Sequence, residues 1–202
     1  MPYDIKKDPY INPQTGVLRN LLSIDTEQNL QDVEAQITSV EISALLVESP
    51  SEIVDFDINT IRRVHKQLFC QIFDWAGKFR TIDMEKESTR FAHAPYIADQ
   101  INLLLGQFAN EKYFVGLDKK DFASRVAYYY SELNVIHPFR DGNGRTIRTF
   151  LSLIASRAGW GIAWDKMDSN ENATACSNSY KDDEKSLRTM LNRLVYSISD
   201  HG

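Results

Sequence analysis

Between residues 137 and 148 the chain reads His137-Pro138-Phe139-Arg140-Asp141-Gly142-Asn143-Gly144-Arg145-Thr146-Ile147-Arg148. Nearly every residue type needed to move a phosphate-linked group lies in that stretch. His137 is the one side chain there whose unperturbed pKa lies near neutrality, so it can accept a proton at pH 7. Pro138 cannot continue a preceding helix and therefore sets His137 at a helix end, with Phe139 beside it as a core anchor. Gly142 and Gly144 flank Asn143 where the next helix begins. Backbone N–H groups turned towards one point, joined to the positive end of a helix, make a nest for phosphate. Arg145 and Arg148 lie three apart on one helix face and suit a polyphosphate clamp. Asp141 offers a hard oxygen to a Mg²⁺ carried on phosphates. Taken singly, a His-Pro pair, a Gly-x-Gly or two arginines one turn apart are ordinary helix features. Their convergence on one loop points to a nucleotide or phosphate site without naming the reaction.

The elements that must position this loop are mostly helices. Residues 1–22, with Pro2, Pro9, Pro13 and Gly16, read as an irregular arm. A helix is predicted from Ser23 or Asp25, with those residues as N-cap candidates. Its apolar face is Leu30, Val33, Ile37, Val40 and Ala44, its wet side Gln31, Asp32, Glu34 and Gln36, and Ser49-Pro50-Ser51 ends it. A second runs from about Asn59 through Ile61, Val64, Leu68 and Ile72, stopping before Gly77. Lys78–Met84 alternates like a strand, Glu85-Lys86-Glu87-Ser88 is a polar tip, and Thr89–His93 returns, so a hairpin is expected over about 78–93. Helical spacing resumes at Ile97, Ile101, Leu104, Leu105 and Phe108. It recurs over 118–136, where Phe122, Val126, Tyr129 and Leu133 share a face, and over 143–158, with Gly159 as C-cap. A last helix would hold Leu187, Met190, Leu191, Leu194 and Ile198. The fold class is all-α, a helical bundle with one hairpin, in a single domain of 202 residues.

Lys plus Arg number 23 against 28 for Asp plus Glu, a net charge of −5, which argues against a duplex-DNA or membrane-surface binder. The only cysteines, Cys70 and Cys176, lie far apart, without disulfide-framework or metal spacing. His65, His93, His137 and His201 lack ligand spacing too. No apolar run reaches membrane-spanning length and the N-terminus carries no signal pattern, so the cytoplasm is the expected compartment.

The 137–148 segment resembles the signature of Fic-domain proteins, His-x-Phe-x-Asp/Glu-Gly-Asn-Gly-Arg-x-x-Arg, with every defined position present. Upstream, His65-Lys66-Gln67-Leu68-Phe69 and Ile72-Phe73-Asp74-Trp75-Ala76-Gly77 resemble the stretch before that family's hairpin, and the similarity covers roughly residues 10–195. The resemblance implies a Fic-fold helical bundle with a flap hairpin. It also implies a protein adenylyltransferase that moves AMP from ATP to a target hydroxyl and releases pyrophosphate. His137 would then be the base and Asp141 the Mg²⁺ ligand. Gly142, Asn143 and Gly144 would cradle the α- and β-phosphates, with the Asn143 side chain helping, and Arg145 and Arg148 would hold the β- and γ-phosphates. Arg90, Phe91, Ala92 and His93 of the flap would align an extended piece of the target by main-chain pairing. Doc-type kinases replace the two loop glycines with bulkier residues; Gly142 and Gly144 are intact here, so AMP transfer is the expected outcome. Transfer of UMP, phosphocholine or phosphate, and a silent nucleotide- or peptide-binding module, are the alternatives. Intact His137 and Asp141 weigh against the last.

Fic proteins are commonly restrained by a helix of pattern Ser/Thr-x-x-x-Glu-Gly/Asn, whose Glu pairs with the second motif arginine, here Arg148. Glu171 is followed by Asn172, but the residue four before it is Met167. Ser23–Gln28 comes nearest and fails at Gln28. The resemblance therefore implies a toxin whose inhibitory helix is supplied by a small separate antitoxin, with a type II topoisomerase as the expected target and no direct contact with nucleic acid.

Overall fold

The computed structural model describes residues 8–48, 55–86, 89–180 and 183–200. The start of the arm, the Ser49–Ser51 helix stop, Glu87 and Ser88 of the flap tip, and His201 lie outside them. Seven α-helices follow one another among the described residues: α1 (Glu27–Glu48), α2 (Ile58–Phe69), α3 (Ile97–Asn110), α4 (Lys119–Ile136), α5 (Asn143–Arg157), α6 (Ser169–Ser179) and α7 (Lys185–Leu194). The expected all-α class is observed. Its hairpin is β1 (Glu85–Lys86) against β2 (Thr89–Arg90), antiparallel, with Glu85 opposite Arg90 and Lys86 opposite Thr89.

Capping side chains start the helices that matter most for the site. Asp57 Oδ1 accepts from the Thr60 N–H at 2.9 Å to open α2, and Asp118 Oδ1 accepts from the Asp121 N–H at 2.9 Å to open α4. The apolar stripe expected on α4 is buried as drawn: Phe122, Val126, Tyr129 and Leu133 all face the core. So do Ile97, Ile101, Leu104, Leu105 and Phe108 on α3. Pro138 has the expected effect, for α4 stops at Ile136 and His137 turns into the left-handed region at φ 49°.

Five expectations are corrected. The first helix begins at Glu27, and neither Ser23 nor Asp25 caps it; Ser23 sits in a bend with φ 58°. Its buried line is Leu30, Glu34 and Thr38, while Val40 is 68% exposed. Leu30 and Ile37 of the expected face do meet the core, but two of the three fully buried residues are polar, so hydrophobicity alone could not place the centre of the face. α2 ends at Phe69, leaving Ile72 buried in the turn beyond it. Residues 78–84 do not form a strand; the hairpin ladder lies nearer the tip. α7 ends at Leu194 because Val195–Ser197 becomes β4, paired antiparallel with β3 (Trp160–Ile162), and Ile198 lies outside the helix. This second sheet and α6 were not foreseen. In α6 only Ala175 and Ser179 are buried, so it has no apolar stripe to read.

Candidate functional site

The site forms where the end of α4 meets the start of α5. His137 lies between two clefts. One, of about 380 Å³, is bordered by Met84, Arg140, Asp141, the Gly142–Gly144 turn, Arg145 and Arg148. The other, of about 280 Å³, is bordered by Lys86 and Phe91 of the flap, Asn134 of α4, and Asn172, Cys176 and Tyr180 on or beside α6. All the motif residues assigned to the nucleotide thus border the first cleft.

The imidazole of His137 is held in one tautomer. Its Nδ1 lies 3.3 Å from the Asn134 carbonyl oxygen, which can only accept, so Nδ1 carries the proton and Nε2 keeps its lone pair. The Phe91 ring stacks on the imidazole at 3.8 Å between centroids and 11° between planes. Burial, helped by the nearby Arg80 and Lys86 cations, pushes the His137 pKa down to about 4. The ring is therefore a neutral proton acceptor at pH 7.

Beneath the loop, His65 and Phe139 stack at 3.8 Å. His65 Nε2 donates to the Asp141 carbonyl oxygen at 3.1 Å, and Nδ1 accepts from the Gly77 N–H at 2.9 Å. Its burial lowers the pKa to about 3, so a neutral ring ties α2, the Gly77 turn and the 137–148 loop together. Gly142 is forced by its surroundings. Its φ is +74°, and a Cβ there would lie 2.3 Å from the Phe69 ring. The first N–H groups of α5, which have no partner inside the helix, begin at this turn. The Asp141 carboxylate accepts from the Gly142 N–H at 2.5 Å.

Asn143 departs from its expected part. Its side chain is buried, accepting from the Phe139 N–H at 2.8 Å and donating to the Phe139 carbonyl at 2.7 Å. That amide latches the loop shut on the Phe139 main chain. Arg145 is ion-paired with Glu34 of α1 and lies 4.7 Å over the Phe69 ring. Glu34, expected in water, is buried, and its pKa is raised by that burial and then by the Asp141 charge. Arg148 folds back over Gly144, whose added Cβ would stand 3.1 Å from it, with its charge beside Tyr130. Among the described residues no carboxylate pairs with Arg148, and Glu27 accepts instead from Gln31 at 3.2 Å. Arg140 is held by the buried Asp8 of the N-terminal arm at 2.8 Å.

The flap residues do not all present free backbone. The Ala92 N–H donates to Val135 at 3.1 Å, the Phe91 N–H donates to Met84 at 3.2 Å, and the Arg90 carbonyl accepts from the Tyr180 hydroxyl at 3.1 Å. The His93 carbonyl accepts from Tyr96, and its side chain meets Asp83 in solvent. The 90–93 stem thus uses several of its main-chain groups as an anchor. Since Met84 and Phe91 are a bonded pair, Glu85 and Arg90 are the pair whose backbone points outward from the ladder. Sequence reasoning missed Glu34, Arg80, Met84, Lys86, Asn172 and Cys176. For Glu34 the available signal was its i+4 position after Leu30.

As for metal, no group of three or more His, Cys, Asp or Glu is placed to hold an ion among the described residues. A single carboxylate beside a phosphate nest still fits Mg²⁺, which takes one or two protein carboxylates and completes its shell with phosphate and water. No helix among the described residues is long and apolar enough to cross a membrane.

A neutral histidine, a helix N-terminus opened by Gly142 and two arginines thus meet on an all-α frame. The Fic/DOC family is matched over residues 55–155, and the chain belongs to it. It is 37% identical, over 95% of its length, to protein adenylyltransferase VbhT of Bartonella schoenbuchensis, and spans 40% of that longer protein. It is 32% identical to the probable protein adenylyltransferase Fic of Escherichia coli, covering 94% of this chain and 92% of the relative. Among solved structures, the N-terminal Fic domain of a VirB-translocated Bep effector from Bartonella quintana, with bound ADP, shares the fold. Its TM-score is 0.90 at 23% identity, covering 95% of this chain and 96% of that one. The type IV secretion system effector BepA matches with a TM-score of 0.83 at 26% identity, over 92% of this chain and 68% of that chain.

Proposed function

We propose that residues 1–202 act as one Fic unit that transfers AMP from ATP to a hydroxyl side chain of a protein and releases pyrophosphate. The coarse activity follows from kinship: relatives at 32–37% identity over most of the chain are named protein adenylyltransferase or probable protein adenylyltransferase, and this chain is a protein adenylyltransferase of the Fic type. The observation that carries the finer reading is the lone pair on His137 Nε2, held between the two clefts.

In that reading the triphosphate lies in the 380 Å³ cleft, on the backbone of Gly142–Gly144, with Arg145 and Arg148 on the β- and γ-phosphates. The nucleobase and ribose enter the 280 Å³ cleft, whose Phe91, Val135 and Ala173 walls suit a flat heterocycle and whose Asn134, Asn172 and Ser177 offer polar edges. His137 Nε2 takes the target hydroxyl's proton as its oxygen bonds to the α-phosphorus, and the bond from that phosphorus to the β-phosphate bridging oxygen breaks. Asp141 would hold Mg²⁺, which when bound offsets the charge of the departing pyrophosphate. The target's extended segment adds along the flap hairpin, whose Phe91 ring stacks on His137.

Control comes in trans in this reading, from a small antitoxin carrying Ser/Thr-x-x-x-Glu-Gly/Asn, whose Glu would meet Arg148. Two observations support it: Arg148 pairs with no carboxylate among the described residues, and Glu27 of the nearest internal match faces Gln31. The protein would work in the cytoplasm, where ATP is available, and a type II topoisomerase is the first target to test. The decisive experiment incubates the protein and a bacterial lysate with ATP labelled on the base, the α-phosphate or the γ-phosphate, beside a His137→Ala control. Base and α-label on protein, absent in the control, is the expected result. γ-label alone would mean phosphate transfer, and no protein label would end the reading.

A further inference from the structure

Arg80, in the approach to the flap, is 2% exposed and was assigned no part by its sequence context. Its guanidinium donates to four main-chain carbonyls. Nε reaches His137 at 2.8 Å, Nη1 reaches Ile82 at 2.6 Å, and Nη2 reaches Ala92 at 2.5 Å and Ile136 at 3.2 Å. Ile82 and Ala92 belong to the two stems of the flap. Ile136 and His137 are the last residue and the cap of α4, where carbonyls lack helical partners and the helix end is negative. The main chain runs alongside: the Arg80 N–H donates to Pro138 at 2.9 Å and the Ala92 N–H to Val135 at 3.1 Å.

We propose that Arg80 is the positioning residue that sets the flap against the catalytic base, because one planar group fixes both flap stems and the His137 turn to each other. The proposal deepens the adenylyl-transfer reading and rests on it. A guanidinium holds its five N–H donors in a rigid plane, so the four carbonyls keep fixed relative positions; an ammonium has three freely rotating donors and cannot impose that geometry. The consequence is specific. A target strand docked on the flap meets Nε2 of His137 only if the flap register is held. The triphosphate rests on Gly142–Gly144, Arg145 and Arg148, which Arg80 does not touch, and the flap borders the nucleotide clefts through the side chains of Met84, Lys86 and Phe91. Loss of Arg80 should therefore harm use of the protein target far more than ATP binding.

The test compares Arg80→Gln and Arg80→Lys with wild type in the full chain, by three measurements. Hydrogen exchange on the ligand-free protein should accelerate at the Phe91 and Ala92 amides in both variants. Affinity for a non-hydrolysable ATP analogue should stay within about threefold. Transfer to protein should fall by on the order of 10²-fold in Arg80→Gln, as expected for losing several charge-assisted bonds, through a raised KM for the target and a lowered kcat. Arg80→Lys should recover part of it. Wild-type-like transfer in Arg80→Gln overturns the proposal. So does a loss of analogue affinity that matches the loss of transfer, since that would be general damage. If Arg80→Gln does not fold, Arg80→Lys decides on the same readouts. Should wild type transfer nothing, the adenylyl reading falls, while unchanged exchange at Phe91 and Ala92 would sink the Arg80 proposal independently.

Discussion

The 137–148 loop and the 85–90 hairpin face each other across His137 and are held in opposite ways. The loop is buttressed from beneath and from both sides. His65 and Phe139 stack under it, the Asn143 amide closes it, Phe69 fills the space a Gly142 side chain would need, and Asp8 and Glu34 hold its arginines. The hairpin has two-residue strands, exposed side chains on β1, and stems tied down through Arg80, Val135 and Tyr180. Phosphate chemistry needs donors fixed before the charge develops, because reorganisation during the reaction would raise the barrier. Strand capture needs only an edge of roughly set position, since main-chain pairing tolerates many sequences. Rigidity therefore sits on the ATP side and adaptability on the target side.

Breaking the rigid side should have the largest effect. His137→Ala should lower transfer by about 10²–10⁴-fold while ATP still binds, as the imidazole acts on the incoming hydroxyl. Steady-state transfer and calorimetry with an ATP analogue measure the two separately, and transfer within a few-fold of wild type would remove His137 from the mechanism. Asp141→Ala should abolish Mg²⁺-dependent transfer. Full wild-type activity in EDTA would contradict the metal assignment.

What the sequence made legible follows the same divide. The loop was readable because each part of its chemistry needs a distinctive residue at a fixed offset, and because Pro138 and the glycines mark the helix ends. Its supports were not. Glu34 lies on a buried face that hydrophobicity assigned to water, since its burial is repaid by an arginine more than 100 positions away. Arg80 satisfies four carbonyls, a role that depends on tertiary placement and has no local pattern. The hairpin was placed correctly along the chain, but its strands were drawn too near Lys78, because alternation in Lys78–Met84 reflects anchoring of Phe79 and Arg80 rather than a ladder.

Glu34 offers the next test. Glu34→Ala leaves Arg145 its stacking on Phe69 but takes away its carboxylate, at a cost of about 1.5–3 kcal/mol in stability. KM for ATP should rise by roughly tenfold, with kcat for a saturating nucleotide reduced less. Unchanged KM and unchanged melting temperature would show the pair to be incidental. The pH profile is a gentler probe. Because the His137 pKa is lowered to about 4, its base form is complete above pH 6, so the base contributes no limb to kcat/KM between pH 6 and 8. A limb near 6.5 would mean an ordinary solvated imidazole. Stability follows with defined sign. His65 and His137 have folded pKa values below the unfolded value of about 6.5, so their contribution is present above 6.5. It is lost as pH falls through that value towards about 4 for His137 and about 3 for His65.

The smallest effect is expected at His93, and it separates main-chain from side-chain roles on the adaptable side. Asp83 accepts from the Ala94 N–H at 2.8 Å through Oδ1 and meets the His93 ring at 2.5 Å through Oδ2. That backbone bond comes first among the causes that hold the Asp83 carboxyl below the usual carboxylate range. The His93 side chain is 58% exposed, where an ion pair is typically worth about 0–1 kcal/mol. His93→Ala should accordingly leave the melting temperature nearly unchanged and lower transfer by less than about threefold. Asp83→Ala should do more, because it frees the turn at Ala94 that ends the flap stem, a capping loss of about 1 kcal/mol. Measured side by side, a larger loss of transfer in His93→Ala than in Asp83→Ala would mean that the imidazole itself touches the target. The flap would then select by side chain as well as by backbone.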